Sequence, residues 1–322
     1  MTRRIDISSK TVVFITLFIL GLWVIYQILD LLLLLFVAII LMSALAPVVI
    51  FLEKLKIPKA LGTLVVYLVV VLLLVLALTV SFTPLIEQTS RLIQILPASV
   101  TSLLQVGNVD QGILNREISN ITGNLFIYTK TVFDNVIKVI LLLVLSFYLL
   151  LERENLEKRA ASLFVGQEER IRKLLVDIEE KLGSWLRGQL LLSVIIGVLA
   201  FVGLTLLQLP YALPLAIWAG LLEVVPVIGP IISSIPAILL ALTVSPVLAA
   251  GTAAMYFVIQ QFESHIIVPQ VMGKAVGLNP LVVILAIAVG SRLLGIGGAL
   301  LAVPIVVVAQ IIVMDILVAR KE

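Results

Sequence analysis

The stretch LLEVVPVIGPIISSIPAILLAL begins at Leu221 and holds a single carboxylate, Glu223, in an otherwise apolar run. Pro226, Pro230 and Pro236 follow it, with Gly229 between the first two. A charge at the centre of an apolar layer costs at least ~2.5–3.5 kcal/mol on insertion scales. Proline removes a backbone donor and breaks the helical ladder. A sequence that puts both in one place creates a polar point inside an apolar segment. Two chemistries suit such a point. Glu223 can bind and release a proton or a cation, or it can serve as a structural carboxylate bonded to the frayed backbone at VPVIGP.

A second set of polar residues lies downstream. Gln260 and Glu263 are three apart, one helical turn, and so share a face. Together they offer oxygens to a cation or to a hydroxyl-rich solute, or else bond a neighbouring helix. His265 lies two residues beyond Glu263 and points to roughly the opposite side. It is the one histidine, and an imidazole titrates near neutral pH. Arg292 stands within another apolar run. Its charge can pair with Glu223, in an ion pair that breaks or exchanges during a working cycle, or it can snorkel to an interface. Ser233 and Ser234, just after the first break, can line a path or permit close helix packing.

The elements that carry these residues are apolar to a degree that soluble domains do not need. Of the 322 residues 61% are hydrophobic and 13% charged, about half the soluble average for charge. Mean hydropathy is +1.24. Several runs reach the ~20 residues that span a bilayer as a helix. The reading is an all-α polytopic integral membrane protein with about eight hydrophobic elements. Spans are expected at 12–29, 31–52, 60–83, 136–151 and 190–207, the first two forming a tight helical hairpin around Asp30. A sixth, 247–268, separates two broken hairpins. The apolar stretch before the cleavage-like Ala44-Leu45-Ala46 exceeds 30 residues, too long for a signal core of about 7–15, so a retained span is expected.

Two polar segments interrupt the pattern. Residues 84–135 hold three basic and four acidic residues, with apolar positions from Ile113 to Val136 at steps of three or four; an extracytoplasmic amphipathic segment is expected there. Residues 152–187 hold eight of each sign, and Ile171, Leu174, Leu175, Ile178 and Leu182 make a helical stripe. That pattern describes a cytoplasmic helix lying on the membrane or packing on a neighbour. With the N-terminus inside, 17 of the 22 Lys and Arg fall on the inner side. Residues 1–83 then read as a three-span scaffold and 188–322 as a transport unit, with both termini cytoplasmic.

Within that unit two stretches resemble one another. Pro210 to Gly220 and Pro280 to Gly290 are both ten steps, and Gly229 to Pro236 and Gly297 to Pro304 are both seven. The helices before them run in opposite directions, so the units (188–245 and 246–317) form an inverted repeat, a common plan in secondary transporters. Each unit is short-limbed and broken, around Pro226–Pro230 in the first and Gly290, Gly295, Gly298 and Pro304 in the second. A re-entrant hairpin suits the first. The longer return limb of the second has the length to cross fully.

The chain has no cysteine, which removes disulfides, thiol nucleophiles and most zinc or iron sites. No nucleophile–base pair is visible. Gly295-Ile296-Gly297-Gly298 lacks the strand and lysine of a phosphate-binding loop. The expectation is therefore no enzyme, no metal and no cofactor, and no nucleic-acid partner, because the basic residues are scattered at segment ends rather than gathered on a face.

Glu-x-x-Pro-x-x-Gly-Pro at Glu223–Pro230 resembles the signature of the AI-2E family of bacterial transporters, the autoinducer-2 exporters. QQFESHIIVPQVMGKAVGLNP and GSRLLGIGGALLAVP fit the same pattern, with Gln260, Gln261, Glu263, Pro269, Gly273, Pro280, Gly290, Gly295, Gly298 and Pro304 at its positions. Ala46-Pro47 and Leu96-Pro97 also look family-like. The resemblance implies an inner-membrane protein that exports or exchanges small solutes, autoinducer-2 in some members and sodium or lithium against protons in others. It also implies a homo-oligomer, with a pentamer among the forms the family suggests. A channel, or a membrane scaffold without flux, is the reading from another class.

Overall fold

The computed structural model describes residues 9–80, 136–225, 228–275 and 277–319. The amphipathic segment expected over 84–135 and the break residue Pro226 lie outside them. The described residues form helices joined by short turns, with no strand among them. In chain order these are α1 (Ser9–Gln27), α2 (Leu29–Lys54), α3 (Lys59–Val80), α4 (Val136–Ser162), α5 (Glu168–Leu206), α6 (Ala212–Leu222), α7 (Ile228–Val244) and α8 (Pro246–Phe262). A π-helical segment, Glu263–Ile267, then leads into α9 (Val268–Ala275), and α10 (Pro280–Ala319) closes the chain. Four helices are long and apolar enough to cross a membrane: α2, α3, α5 and the 281–317 part of α10. The all-α polytopic architecture expected from composition is what the chain adopts.

The first two helices depart from expectation. They do not fold back as a tight hairpin. Ile28 N bonds Val24 O and Leu32 N bonds Ile28 O, so helical bonding runs through the joint. The side chains of α1 from Val13 to Tyr26 are exposed almost throughout. Asp30 sits in the first turn of α2, where a carboxylate favours helix continuation through the dipole rather than making a turn.

The charged stretch 152–187 is shared between the end of α4 and the start of α5. At 1.5 Å per residue, the 39 residues of α5 reach about 58 Å, nearly twice the ~30 Å of hydrocarbon. The surplus carries the charges. Arg153 pairs with Glu179 at 2.6 Å and Arg172 with Glu157 at 2.7 Å, tying α4 to α5. Arg170 forks onto the Asp315 carboxylate at 2.6 and 3.1 Å, tying α5 to the end of α10.

Helix α5 is the hub. It packs on α2, α4, α6, α8, α9 and α10. Leu182 and Trp185 join Ile40 of α2 and Leu301, Val303 and Val307 of α10. Further along, Ala200 and Leu204 join a core rich in alanine: Ala216, Ala219, Ala237, Ala241 and Ala249. Small residues let helix backbones approach closely where no aqueous hydrophobic drive exists. Helix α2 also packs on α3 and α4, where the Tyr67 hydroxyl shares a hydrogen bond with Ser146.

The two breaks predicted from prolines and glycines are present, and in both the chain doubles back on itself. Helix α6 ends at Leu222 and α7 starts at Ile228. A Cβ on Gly229 would stand 2.0 Å from the Leu222 carbonyl oxygen. In α10 the helical run is interrupted at Leu294 (φ −132°) and Gly295 (φ 61°, ψ −142°), the latter a backbone region open to glycine. Gly290 and Gly298 then meet: a Cβ on Gly298 would stand 2.0 Å from the Gly290 carbonyl oxygen. Pro236 and Pro304 lie inside helices, not at the breaks.

No shift of a flexible side chain can relieve a clash with backbone. Gly229→Ala and Gly298→Ala are therefore expected to destabilise by about 1–3 kcal/mol or more, read as lowered melting temperatures and yields of the purified protein. Gly273→Ala, where nothing stands within 4 Å, should leave both unchanged.

Candidate functional site: a buried carboxyl pair at a helix break

Glu223 is the first residue after α6, and its backbone still bonds back to Ala219 O. It stands there because α6 cannot continue: Val224 N and Val225 N fall back to three-residue bonds on Leu221 and Leu222. The side chain is 1% exposed. Its neighbour is an acid of the same kind. The carboxyl groups of Glu223 and Glu263 lie within hydrogen-bonding reach of each other. Glu263 is 5% exposed. One oxygen of each, Glu223 Oε2 and Glu263 Oε2, is buried and meets no N–H or O–H donor of the described residues.

Glu263 owes its place to a second irregularity. It opens the π-helical segment that interrupts the passage from α8 to α9. A π-turn inserts one residue and turns the following side chains about the axis, and such segments recur at functional sites. Arrangements that join two helix irregularities at a pair of acids are costly. Two carboxylates are acceptors only and cannot bond each other. Two unit charges 4 Å apart repel by roughly 4 kcal/mol at an effective dielectric of 20. A proton or a small cation between the two oxygens removes both costs.

The wall of the site comes from α5. Gln189, 2% exposed, donates from Nε2 to the Glu223 carbonyl oxygen at 2.5 Å. The acceptor is a carbonyl, so the amide must present its NH2 there. Nearby on α5, the Ser193 hydroxyl is buried and has no hydrogen-bond partner among the described residues, and the same holds for the Tyr256 hydroxyl two turns before Glu263. Gly220 packs close beneath: a Cβ there would stand 2.7 Å from Ser193 O.

The other predicted residues are placed differently. Gln260 is half-buried, and among the described residues its side chain makes no hydrogen bond. His265 is exposed, and its Nδ1 bonds Gln261 O at 3.0 Å, which requires Nδ1 to carry the hydrogen. Arg292 is exposed on the first limb of α10 and forms no ion pair among the described residues. The Glu223–Arg292 pair that the sequence offers is not formed in this structure, because Glu223 packs against α5 and faces Glu263. Ser233 is buried and bonds Pro230 O within its own helix, while Ser234 bonds Ile231 O. Pro230 and Gly229 are buried at the start of α7. Gln189 carries no motif: a single glutamine in a long helix gives no signal until the broken segment is placed beside it.

A helical chain with several membrane-length helices is a polytopic membrane protein. The profile described as "AI-2E family transporter" matches residues 13–317, and the chain belongs to the AI-2E transporter family. Among its relatives, "Putative transport protein YrrI" of Bacillus subtilis (strain 168) is 36% identical over 148 residues, 46% of this chain and 42% of the relative. "Putative transport protein YueF" of the same organism is 26% identical over 297 residues, 84% and 80% of the two chains. A "Sodium-lithium/proton antiporter" of Halobacillus andaensis is 26% identical over 188 residues, 58% and 53%. The match thus spans under half of the first relative's length and four fifths of the second's.

Contacting groups that share one proton are strongly coupled. The effects of Glu223→Gln and Glu263→Gln on thermal stability should fail to add by about 0.5–3 kcal/mol in a double-mutant cycle. Additive effects would show that the two carboxyls do not interact.

Proposed function

We propose that this protein is a secondary transporter that exchanges a monovalent cation for a proton at the Glu223–Glu263 pair. The carrying observation is the pair itself: two buried carboxyl groups in mutual reach, each with an oxygen that no donor of the described residues meets. Such a site offers only oxygens and negative charge. It suits a proton or a small hard cation, and the cycle follows from competition: when the cation enters, the proton leaves. The printed name of the Halobacillus andaensis relative points the same way.

Several features support the mechanism. The first hairpin, α6–α7, is too short to cross alone; its 11-residue first limb reaches about 16 Å. Re-entry from one membrane face brings Glu223 to mid-depth. Backbone freed at such depth must face protein or water, and Gln189 meets that need at Glu223. The second hairpin, inverted, supplies the opposite half-path, and rocking of the unit 188–317 about the site alternates access. The opening helices and α4 serve as scaffold and as the contact of a homo-oligomer in the cytoplasmic membrane. Arg292 and His265, exposed in this state, stand outside the exchange. Export of a small hydroxylated solute driven by the same proton, which the family resemblance implies, differs in what replaces the proton, and Gln260 offers an amide to such a solute.

Flux in proteoliposomes containing a pH-sensitive dye tests this directly. Na⁺ or Li⁺ gradients should drive saturable proton movement, and Glu223→Gln and Glu263→Gln should each abolish it. Equal rates in wild type and Glu223→Gln would refute the assignment. A response to hydroxylated solutes and not to cations would favour export. Flux that does not saturate would favour a channel, and no flux with any of these an idle scaffold.

A further inference from the structure

We propose that Gly188 and Gln189 form a spacer on α5 that sets the separation of the Glu223 and Glu263 carboxyl groups, so that Gln189 is a positioning residue for the exchange site. The inference rests on the reading of that pair as the coupling site and adds the residues that hold it at its working distance.

The two acids belong to segments that are far apart in the chain and join the rest differently. Glu223 ends α6; Glu263 opens the π-segment that runs into α9. One turn of α5 touches the backbone of Glu223 and the helix α9 into which the Glu263 segment runs. On one side Gln189 Nε2 meets the carbonyl of Glu223 itself at 2.5 Å. On the other, Gly188 lies against α9: a Cβ there would stand 3.3 Å from Met272 Sδ and 3.5 Å from Val271 Cγ1. Adjacent residues of a helix point about 100° apart, which lets two neighbours face two partners. The α5 backbone at 188 is therefore a wall against α9 at Val271 and Met272, downstream of Glu263, and the 189 amide is a tether on the Glu223 backbone. Shortening the tether or thickening the wall changes the carboxyl–carboxyl distance, and that distance decides whether the pair prefers a proton or a wider cation.

The charged and titratable groups near this turn are engaged elsewhere. Arg187 donates to Ser43 O at 3.1 Å and to the Ser184 hydroxyl. His265 is bound to Gln261 O, and Arg292 is exposed on α10. On α8 the nearest titratable side chain is Tyr256, which is buried. The pair's proton affinity is thus set by the two carboxyls and by the α5 spacer.

Gln189→Met keeps length and volume while removing the amide; Gly188→Ala adds one methyl against the flexible Met272. The readout is the pH dependence of carbodiimide labelling at Glu223 and Glu263, which needs a protonated carboxyl and no substrate, followed by mass spectrometry on the full-length protein in liposomes. Dye-reported cation/proton exchange is measured on the same preparations. In Gln189→Met the labelling midpoint should move by about half a pH unit or more, with the exchange profile moving alongside. Gly188→Ala should also displace the midpoint, and it carries the test if Gln189→Met fails to fold. Lowered melting temperatures with an unmoved midpoint in the folded variants would overturn the proposal and leave Gln189 a packing residue. Absence of labelling in wild type at any pH, or labelling and exchange untouched by Glu223→Gln, would refute the underlying coupling-site reading instead.

Discussion

A helix interrupted among apolar neighbours leaves carbonyls without partners, and no water in a hydrocarbon layer can supply them. That constraint organises this protein. Helix α5 answers it twice within three residues. Pro47 inside α2 has no N–H to give to the carbonyl four residues earlier, that of Ser43; Arg187 donates to Ser43 O at 3.1 Å. The stop at the end of α6 exposes the Glu223 carbonyl, and Gln189 donates to it at 2.5 Å. Positions 187 and 189 lie roughly 200° apart around the helix, so one element serves breaks on two sides.

The same two contacts explain why α5 is long and closely packed. Gly183 and Gly188 keep its surface low where α2 and α9 press on it: a Cβ on Gly183 would fall 2.3 Å from Ser43 O. Gly197 does so against α6, whose own Gly220 lies against Ser193 O. Polar groups that bridge helices work only when backbones come near, and small residues permit that approach. Beyond the apolar core the charged half of α5 ends in ion pairs to α4 and α10. Pairs that keep contact with water contribute little energy; the use of these half-buried ones is to fix how the ends of three helices meet.

The acid pair follows from the same geometry. A broken hairpin carries Glu223 inward, and a π-turn rotates Glu263 toward it. Neither irregularity alone makes a site. Glu223 alone would be a buried carboxylate against a frayed end, and Glu263 alone a polar residue at a helix contact. Together they leave two buried oxygens that no donor of the described residues meets, and a proton or cation between them removes that cost.

Much was legible in the residues. Composition and run length determine an all-α membrane protein, because apolar helices of that length have no soluble solution. Pro226, Pro230, Gly229 and Gly295 announce the breaks, because proline and glycine act on their own backbone, and Glu223 stands out because an acid in an apolar run needs a reason. What the tertiary structure alone decided is partnership. Periodicity along one chain does not say which helices touch: the residues alone offer Arg292 as the partner of Glu223, whereas packing brings it to Glu263. The π-turn at Glu263 has no proline or glycine to mark it, and nothing local distinguishes Gln189. The joint at Asp30 read as a turn, yet helical bonding continues through it. Local chemistry sets where a helix stops; the site exists because of what stands opposite the stop, and that is a property of the fold.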